Sequence, residues 1–332
     1  MKKNRILTIL CIFSNISIFI TIFTIYGPYP NFKNWWITNA IASGNHKWFA
    51  NTLYSSNTIK EVLQDNKVIE IEEDTDTSSI TFVTEKNTSY SSIYEKQILE
   101  HNDDDVYKLI RIKENDYSGY LVAVYDASRI SLVTSSNNKR GGQTMVEISK
   151  ENDALVAINA SGFARKNGEV IPVGTVIKDG KIKSLGSKNT HGGGLIGFTK
   201  EHVLMLTSGS AQDAIKKGMN EGMTFGPFLI VNGTKATVRG NGGLGVANRT
   251  AIAQRKDGIV LFLVIDGRGA DGSNGITMEG LISILERYGA YNAANLDGGG
   301  SSTLVVENEL INNPRGYAYT GERYLPNAWI VK

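Results

Sequence analysis

An uninterrupted apolar stretch opens the chain, and short apolar runs separated by polar turns fill its second half. The opening stretch covers residues 6–26, which are 21 residues without a charge. As an α-helix it would extend roughly 30 Å, about the thickness of the hydrocarbon layer of a membrane. Lys2, Lys3 and Arg5 precede it, which favours a cytoplasmic N-terminus. The pattern predicts a single-pass helix in the cell membrane, with the C-terminal domain extracellular.

The alternative to an anchor is a cleaved signal peptide. Ala40-Ile41-Ala42 has the small-x-small form of a cleavage site. It lies about 15 residues beyond the apolar stretch, farther than such sites normally lie. We therefore favour an uncleaved anchor, and a mature protein that begins near Ser43 would contradict it.

Proline and acidic residues mark the next boundaries. Gly27-Pro28-Tyr29-Pro30 ends the membrane helix, because proline cannot continue it. Trp35 and Trp36 suit either the membrane interface or the packing of a short helical stem. Glu70 to Asp76 is acidic with Ser and Thr around it, which is typical of a solvated linker. We predict an anchor at 1–26, a stem and linker at 27–106, and a C-terminal domain at 107–332.

The domain pattern predicts strands at Tyr120–Ile130, Ala154–Ile158 and Ile259–Ile265, the last apolar on both faces and therefore central. Met278–Tyr288 has helical spacing, and a strand at Tyr291–Leu296 follows, so we expect a βαβ-like unit. Asp179-Gly180 predicts a hairpin turn. The fold class is α/β (mixed α+β), a twisted mixed β-sheet core with flanking helices.

Composition excludes several kinds of protein. The net charge is +2 and no polybasic tract occurs, which argues against nucleic acid as the main partner. Cys11 is the one cysteine, so neither an intrachain disulfide nor a cysteine metal site can form. Four histidines without a His-Glu-x-x-His pattern do not suggest a histidine metal centre. The oligomeric state cannot be read from the sequence.

Two acidic turns follow predicted strands and carry the candidate chemistry. Asp266-Gly-Arg268 leaves one strand, and the segment Asn295-Leu-Asp-Gly-Gly-Gly-Ser-Ser-Thr303 leaves the other. If the strands are neighbours, Asp266 and Asp297 lie close together and can divide acid and base roles or hold a divalent cation. The simpler interpretation is that each aspartate caps its own turn. The three glycines allow close approach of a ligand to the backbone, whose N–H groups can bind an anion.

Three further positions are candidates, each with a structural alternative. Arg249 presents a planar fork suited to phosphate or carboxylate, or else forms a surface ion pair. Asn159 orients a sugar hydroxyl, or else bonds its own backbone. His191 precedes three glycines, and a plain loop histidine is the favoured interpretation there. Gly240-x-Gly-x-x-Gly245 fits a nucleotide pattern by letters, but no helix pattern follows it.

Several segments, in this order along the chain, resemble the phosphodiester glycosidase family. They are Ala157-Ile-Asn159, Thr224 to Gly233, Asn248-Arg-Thr-Ala-Ile252, Val264-Ile-Asp-Gly-Arg268, the helix with Glu279, and Asn295 to Thr303. The resemblance covers about residues 107–332. Asn159-Ala-Ser-Gly-Phe163 and Ala253 depart from the usual family residues, and these departures bear on sugar selectivity more than on reaction class.

The resemblance implies a hydrolase that cleaves a sugar-1-phosphate diester at its glycosidic bond and leaves a phosphomonoester. It implies Asp297, Asp266 and Arg249 as catalytic residues, with Asp297 or Asp266 as base, nucleophile or cation ligand. The residues implied in substrate binding are Asn159, Ser161, Asn295, Gly298, Gly299, Gly300, Ser301, Ser302, Thr303, Arg268 and Glu279.

The implied partner is a glycan or wall polymer outside the membrane, since bacterial relatives with an N-terminal anchor are often labelled exopolysaccharide proteins. No cofactor is certain, and a divalent cation remains an open alternative. Two other functions stay open. One is a non-catalytic cell-wall or exopolysaccharide-binding protein, and the other is a hydrolase on the same scaffold for teichoic-acid or lipid-linked sugar phosphates.

Overall fold

A computed structural model describes residues 2–42, 46–82, 89–186, 192–317 and 321–332. Eight α-helices lie in these ranges: α1 (Lys2–Tyr26), α2 (Pro30–Ala42), α3 (Lys47–Leu53), α4 (Ser56–Asp65), α5 (Ile93–Leu99), α6 (Met145–Glu151), α7 (Ala211–Lys216) and α8 (Met278–Arg287).

The same ranges contain the β-strands of the fold, which are short and mostly joined by glycine-containing turns. They are β1 (Val68–Ile69), β2 (Tyr107–Lys113), β3 (Ser118–Val124), β4 (Ile130–Thr134), β5 (Val156–Asn159), β6 (Phe163–Lys166), β7 (Glu169–Pro172), β8 (Thr175–Lys178), β9 (Lys181–Leu185), β10 (Gly194–Thr199), β11 (Leu204–Thr207), β12 (Met219–Phe225), β13 (Phe228–Val231), β14 (Thr234–Lys235), β15 (Thr237–Val238), β16 (Arg249–Arg255), β17 (Val260–Ile265), β18 (Ala290–Asn295), β19 (Leu304–Val306), β20 (Glu309–Leu310) and β21 (Asn327–Val331).

The chain divides into two compact units, and the first contains residues 1–67 and 238–245. Its helices α2 to α4 enclose a small apolar cluster around Ile37, Ala50 and Val62, against which Trp36 packs. The Tyr54 hydroxyl donates to the Ile25 carbonyl at the end of α1, over 3.0 Å. Packing of Trp36 into this cluster favours the helical stem over the membrane interface for that side chain.

Helix α1 carries the apolar stretch that the sequence marks as a membrane anchor. Arg5–Tyr26 is long and apolar enough to cross a membrane, and none of it is buried within the protein. By length and composition, a signal sequence near the N-terminus would have the same features. The helix ends at Tyr26, immediately before the Gly27-Pro28 pair that predicts its end.

The second unit, residues 68–237 and 246–332, is built on three antiparallel sheets. The largest has the strand order β14-β13-β18-β16-β17-β3-β2, the second β20-β19-β5-β21-β4, and the third β11-β10-β12-β8-β9. One core lies between them, with Phe262, Trp329 and Ile196 each coming from a different sheet. Helix α6 covers the outer face of the second sheet, and helix α7 covers that of the third. The predicted fold class, helices and sheets mixed, is confirmed.

Several predicted elements are present with small shifts in their ends. Strand β17 is buried along its whole length between β16 and β3, as the apolar run predicts. Helix α8 begins at an N-cap, where the Thr277 hydroxyl accepts from the Gly280 N–H, and ends before Gly289 at φ 78°. The Asp179-Gly180 turn joins β8 to β9, with φ 52° and 63° at its two residues.

Three predicted arrangements are wrong. The segment Tyr120–Ile130 is two strands rather than one, because Asp126 accepts from the Ser128 N–H and starts a short 3-10 turn between β3 and β4. The strands of the expected βαβ unit, β17 and β18, are not neighbours. Strand β16 lies between them and pairs antiparallel with both. The pairings within the large sheet are all antiparallel, so it is not mixed in strand direction.

The acidic segment from Glu70 to Asp76 is part of the second unit and is bonded into it, so its interpretation as a solvated linker is wrong. The Glu70 carboxylate accepts from the backbone N–H of Gly193 at 2.8 Å and of Phe228 at 2.7 Å. The Thr75 N–H donates to the Leu206 carbonyl, and the Leu206 N–H donates to the Thr75 hydroxyl. Specific backbone acceptors and donors thus hold a segment whose composition is typical of exposed chain.

Candidate active site

The site centres on the glycine turn, defined as residues 297–302, which follows strand β18. Its entry is fixed by backbone hydrogen bonds to two sheets. The Leu296 N–H donates to the Thr250 carbonyl on β16, and the Asp297 N–H donates to the Ala160 carbonyl after β5. The Gly299 N–H then donates to the Asn248 carbonyl. The turn therefore lies where the ends of β16, β18 and β5 meet.

The backbone N–H groups of the glycine turn are largely used within the protein. Gly299, Ser301 and Ser302 all donate to protein carbonyls. An anion nest needs such groups to point at the ligand, so a phosphate here depends mainly on side chains. The glycines have another effect, since they leave the floor of the turn without side chains. Gly299 adopts φ 61°, a conformation that a residue with a Cβ rarely takes.

Arg249, the first residue of β16, lies against this floor. It exposes only 6% of its surface, and its Nε donates to the Ile276 carbonyl at 3.4 Å. A Cβ built on Gly298 would lie 3.8 Å from a terminal nitrogen of Arg249. Burial lowers the pKa of Arg249 to about 10, which leaves the guanidinium charged at neutral pH. The turn thus covers a buried cation, and Arg249 is not a surface ion pair.

Asp266 follows β17 and is also buried. Burial raises the pKa of its carboxyl group, against the opposing effects of hydrogen bonds from Asn312 and Asn313 and of the Arg315 charge. Its Oδ1 accepts from the Asn312 amide at 2.9 Å and from the Asn313 N–H at 3.1 Å. A carboxyl group with a raised pKa in a polar cleft is a frequent feature of functional sites.

Asn312, which the sequence analysis missed, joins the two acidic turns. Its amide nitrogen donates to Asp266 and also to the Ser302 carbonyl at 3.0 Å, while its amide oxygen accepts from the Leu304 N–H at 2.7 Å. The side chain therefore connects the end of β17 to the end of the glycine turn. Nothing in the spacing around Asn312 marks it, because its partners are 8 to 46 residues away.

Asn159 and Ser161 are held by bonds within the protein. The Asn159 amide donates to the Asp297 carbonyl, and its oxygen accepts from the Thr250 hydroxyl and the Thr303 N–H. The N–H and hydroxyl of Ser161 both donate to the Asn327 side chain. These bonds place Asn159 and Ser161 beside the turn as supports, and their part in sugar binding stays a prediction.

Three enclosed polar groups near the turn have no hydrogen-bond partner among the described residues. They are both amide atoms of Asn248, the amide oxygen of Asn295, and the hydroxyl of Ser302. The Asn295 amide nitrogen is held by the Gly226 carbonyl at 2.9 Å, which fixes the direction of its oxygen. Unpaired buried polar groups are costly in a folded protein, and these three residues lie around one turn.

Two more arginines lie on the glycine turn. Arg268 has φ 55°, and a Cβ on Gly299 would lie 3.6 Å from its guanidinium. Arg323 donates to the Ser301 hydroxyl at 3.0 Å. Arg268 was expected from the sequence, whereas Arg323 was not, because it belongs to a segment without a motif.

Other predicted residues take separate positions. Thr303 is buried, and its hydroxyl donates to the Ser301 carbonyl. Glu279 is exposed on the first turn of α8, away from the bonds that tie the other residues to the glycine turn. His191 lies outside the described residues. Within the described ranges, no three His, Cys, Asp or Glu side chains group as metal ligands would.

Comparisons with known proteins show the family and the fold of the chain. A protein of Bacillus subtilis (strain 168), the SPbeta prophage-derived uncharacterized protein YomE, is 35% identical over 178 residues, which are 52% of this chain and 27% of that protein. The chain thus spans about a quarter of the length of that curated relative.

Among solved structures, the zebrafish N-acetylglucosamine-1-phosphodiester alpha-N-acetylglucosaminidase (NAGPA) catalytic domain, auto-inhibited by pro-peptide, is similar with a TM-score of 0.57 and 19% identity. The similarity covers 70% of this chain and 85% of that one, and at this identity it shows a shared fold. A sequence model of the phosphodiester glycosidase family matches residues 152–332, which include Arg249, Asp266 and the glycine turn. The chain belongs to the phosphodiester glycosidase family.

Proposed function

We propose that the protein is an extracytoplasmic hydrolase that cleaves the glycosidic bond of sugar-1-phosphate diesters in cell-surface glycans or wall polymers. The observation that carries this proposal is the buried Arg249 guanidinium beneath the glycine turn. Asn312 bonds both Asp266 and Ser302, the last residue of that turn. A guanidinium is well suited to hold phosphate oxygens. Family membership supports the same reaction class.

In the proposed reaction, the bond between the anomeric carbon and the phosphate oxygen breaks, and its electron pair stays on the phosphate. A phosphate monoester is a weakly basic leaving group, so less acid assistance is needed than in ordinary glycoside hydrolysis. Arg249 stabilises the charge that builds up on the leaving oxygen. Water adds at the anomeric carbon and gives its proton to a carboxylate, either directly or after a covalent intermediate.

Asp297 and Asp266 are the proposed carboxylates for this step. Asp297 begins the glycine turn, and its carbonyl is fixed by Asn159. Asp266 is fixed by Asn312 and Asn313, and the raised pKa of its carboxyl group suits a residue that exchanges a proton. Asn295 and Ser302 would bind polar groups of the substrate through the atoms that lack a partner among the described residues.

The location of the reaction follows from the proposed anchor. With α1 in the membrane and the N-terminus in the cytoplasm, the helical stem would hold the catalytic domain, residues 107–332, outside the cell. Substrates there include surface glycans and wall polymers that contain sugar phosphates.

The test is turnover by the detergent-solubilised full chain. A panel of sugar-1-phosphate diesters that differ in sugar and anomer is incubated with the protein, and free sugar and phosphomonoester are detected by mass spectrometry. We expect both products from at least one diester, and loss of about 10² or more in kcat/KM for Asp297→Ala. Glycan binding without any product would instead favour a non-catalytic binding protein.

A further inference from the structure

Three arginines from three different parts of the second unit approach three residues of the glycine turn. Arg249 lies at Gly298, Arg268 at Gly299, and Arg323 at Ser301. They come from the start of β16, the loop after β17 and the segment before β21. The glycines keep the space between them free of side chains.

Arg323 is held in place from both sides. One terminal nitrogen donates to the Ser301 hydroxyl at 3.0 Å. Its guanidinium carbon lies 5.1 Å from the ring centre of Phe163 and 5.8 Å from that of Tyr317. Stacking on aromatic rings and a hydrogen bond orient the planar fork before any ligand arrives.

Arg268 is also oriented, since it donates to the Arg315 carbonyl at 3.3 Å while its own backbone adopts φ 55°. A positive φ is uncommon for residues other than glycine and is retained mainly where the surroundings require it. The backbone of Arg268 therefore takes an unfavourable conformation that directs its guanidinium toward Gly299.

The positive charge of this group exceeds what one phosphodiester needs. A diester carries one negative charge, and the glycine turn itself holds the Asp297 carboxylate, so the three arginines exceed these two anionic groups by one cation. Within the described ranges, neither Arg268 nor Arg323 forms an ion pair with a carboxylate. Arg165 adds a further cation, 5.6 Å from the same Phe163 ring that Arg323 contacts. Arg268 and Arg165 are exposed, so both guanidinium groups are accessible to an anion from solvent.

We propose that Arg268 and Arg323 form an outer anion subsite that binds a second phosphate on the leaving-group side of the substrate. The inference rests on the proposed function and narrows its substrate class to sugar-1-phosphate diesters whose leaving group carries another phosphate. That phosphate is either an internal diester of a repeating sugar-phosphate polymer or a terminal monoester, and both offer oxygens to a planar fork.

The test compares three synthetic substrates with the same sugar-1-phosphate. The second alcohol esterified to that phosphate is propanol, propanediol with a terminal phosphate, or propanediol with a methyl-capped phosphodiester, so the leaving groups are propyl phosphate and its two forms with a second phosphate. We expect kcat/KM of the full chain to be about tenfold or more higher for at least one leaving group with a second phosphate than for propyl phosphate. Preference for the capped diester identifies a polymer, and preference for the monoester alone identifies an end group.

The ratio of interest is kcat/KM for a substrate with the second phosphate divided by kcat/KM for the propanol ester. The variants Arg323→Gln and Arg268→Gln should bring this ratio close to one, and Arg323→Lys should keep part of it. The matched control is Arg129→Gln. Arg129 is exposed and lies just before the start of β4. The other end of β4 pairs with Asn327, which bonds Ser161, so Arg129 is at the end of the strand away from the glycine turn. The control should keep the wild-type ratio. A wild-type ratio near one, or an unchanged ratio in both glutamine variants, overturns the subsite.

Failure of the proposed function is distinguishable from failure of the subsite. If no diester is hydrolysed, calorimetry compares binding of propane-1,3-diyl bisphosphate with propyl phosphate. The subsite predicts that the bisphosphate binds about tenfold or more tighter, with a gap that narrows at high salt and closes in Arg323→Gln. Equal binding of the two probes contradicts it.

Discussion

At the scale of single residues, Arg249 is the buried cation of the candidate site, and it lies beneath the glycine turn. We expect Arg249→Ala to lower kcat/KM by about 10² or more, since the cation would act on charge that develops in the transition state. Arg249→Lys keeps the charge but loses the planar fork, so it should recover only part of the activity. Steady-state kinetics on the best diester of the panel measures both.

The control for Arg249 is Arg129→Ala, which removes an exposed arginine at 45% side-chain exposure. Circular dichroism and thermal melting are used to check whether the Arg249 variants fold. Near-native turnover by a folded Arg249→Ala protein would remove this residue from the reaction.

The buried carboxyl group of Asp266 should make the free energy of unfolding depend on pH. Burial raises the pKa of its carboxyl group in the folded protein above the unfolded value. Between those two values the folded state holds the proton more tightly, so this group contributes stability at low pH that is lost as the pH rises. Asp266→Asn stays neutral and can still accept from Asn312 and Asn313.

The stability of Asp266→Asn relative to the parent should therefore increase from about pH 3 to about pH 7. Urea unfolding at several pH values, with Asp126→Asn as an exposed control, measures this difference. A difference that stays constant or falls with pH would show that the raised pKa does not apply.

The positions of candidate residues at strand ends could be predicted from the sequence, whereas the residues that bond to them could not. Asp266, Arg249 and Asp297 stand next to apolar runs, and ends of strands line ligand clefts in many folds. Asn312 and Arg323 lie in segments without periodicity. Asn312 bonds residues 10 and 46 positions away in the sequence, and Arg323 bonds a residue 22 positions away. Long-range pairing of this kind leaves no local pattern.

At the scale of elements, Asn159 joins parts of two sheets at the turn. Its side chain bonds the Asp297 carbonyl in partly buried surroundings, and the Thr250 hydroxyl and the Thr303 N–H in buried surroundings. Asn159→Ala should lower the free energy of unfolding by about 2–4 kcal/mol, because two buried groups and one partly buried group lose their partner. Denaturant unfolding measures the loss.

Asn137→Ala is the comparison for Asn159, since that exposed asparagine makes no side-chain cap bond at its short helix. A loss below about 0.5 kcal/mol for Asn159→Ala, similar to that of a surface change, would mean that these bonds contribute little.

The acidic segment from Glu70 to Asp76 should contribute to the stability of the second unit. The Glu70 carboxylate accepts from two backbone N–H groups, whereas Glu72 beside it is exposed. Glu70→Ala should destabilise the second unit by about 1–3 kcal/mol, and Glu72→Ala by much less. Equal effects of the two substitutions on urea unfolding would return this segment to the solvated linker that its composition suggests.

Element identity followed from local pattern, while strand order did not. The apolar run at β17 and the helical spacing of α8 were sufficient to place both. The position of β16 between β17 and β18 depends on pairing across the whole sheet, which no short window contains. For that reason the expected neighbouring strands turned out to be separated by one strand.

At the scale of the whole molecule, the apolar helix α1 decides where the proposed chemistry takes place. None of its span Arg5–Tyr26 is buried within the protein, so in water it would expose a large apolar surface. As a membrane anchor it has no such cost. Length and composition fit an anchor and a signal sequence equally, and only processing separates them.

We expect the full chain to remain with membranes after carbonate extraction and to keep its N-terminal residues by intact mass. Replacing Ile12, Ile16 and Phe19 with Lys should release it, because charges at the centre of a span cost about 2.5–3.5 kcal/mol each. Replacing Lys60 and Glu61, which lie on α4 outside that span, with Ala should leave it in the membrane. A mature protein that starts after residue 26 and is released from membranes would identify a signal peptide instead, and would place the enzyme free in the space outside the cell.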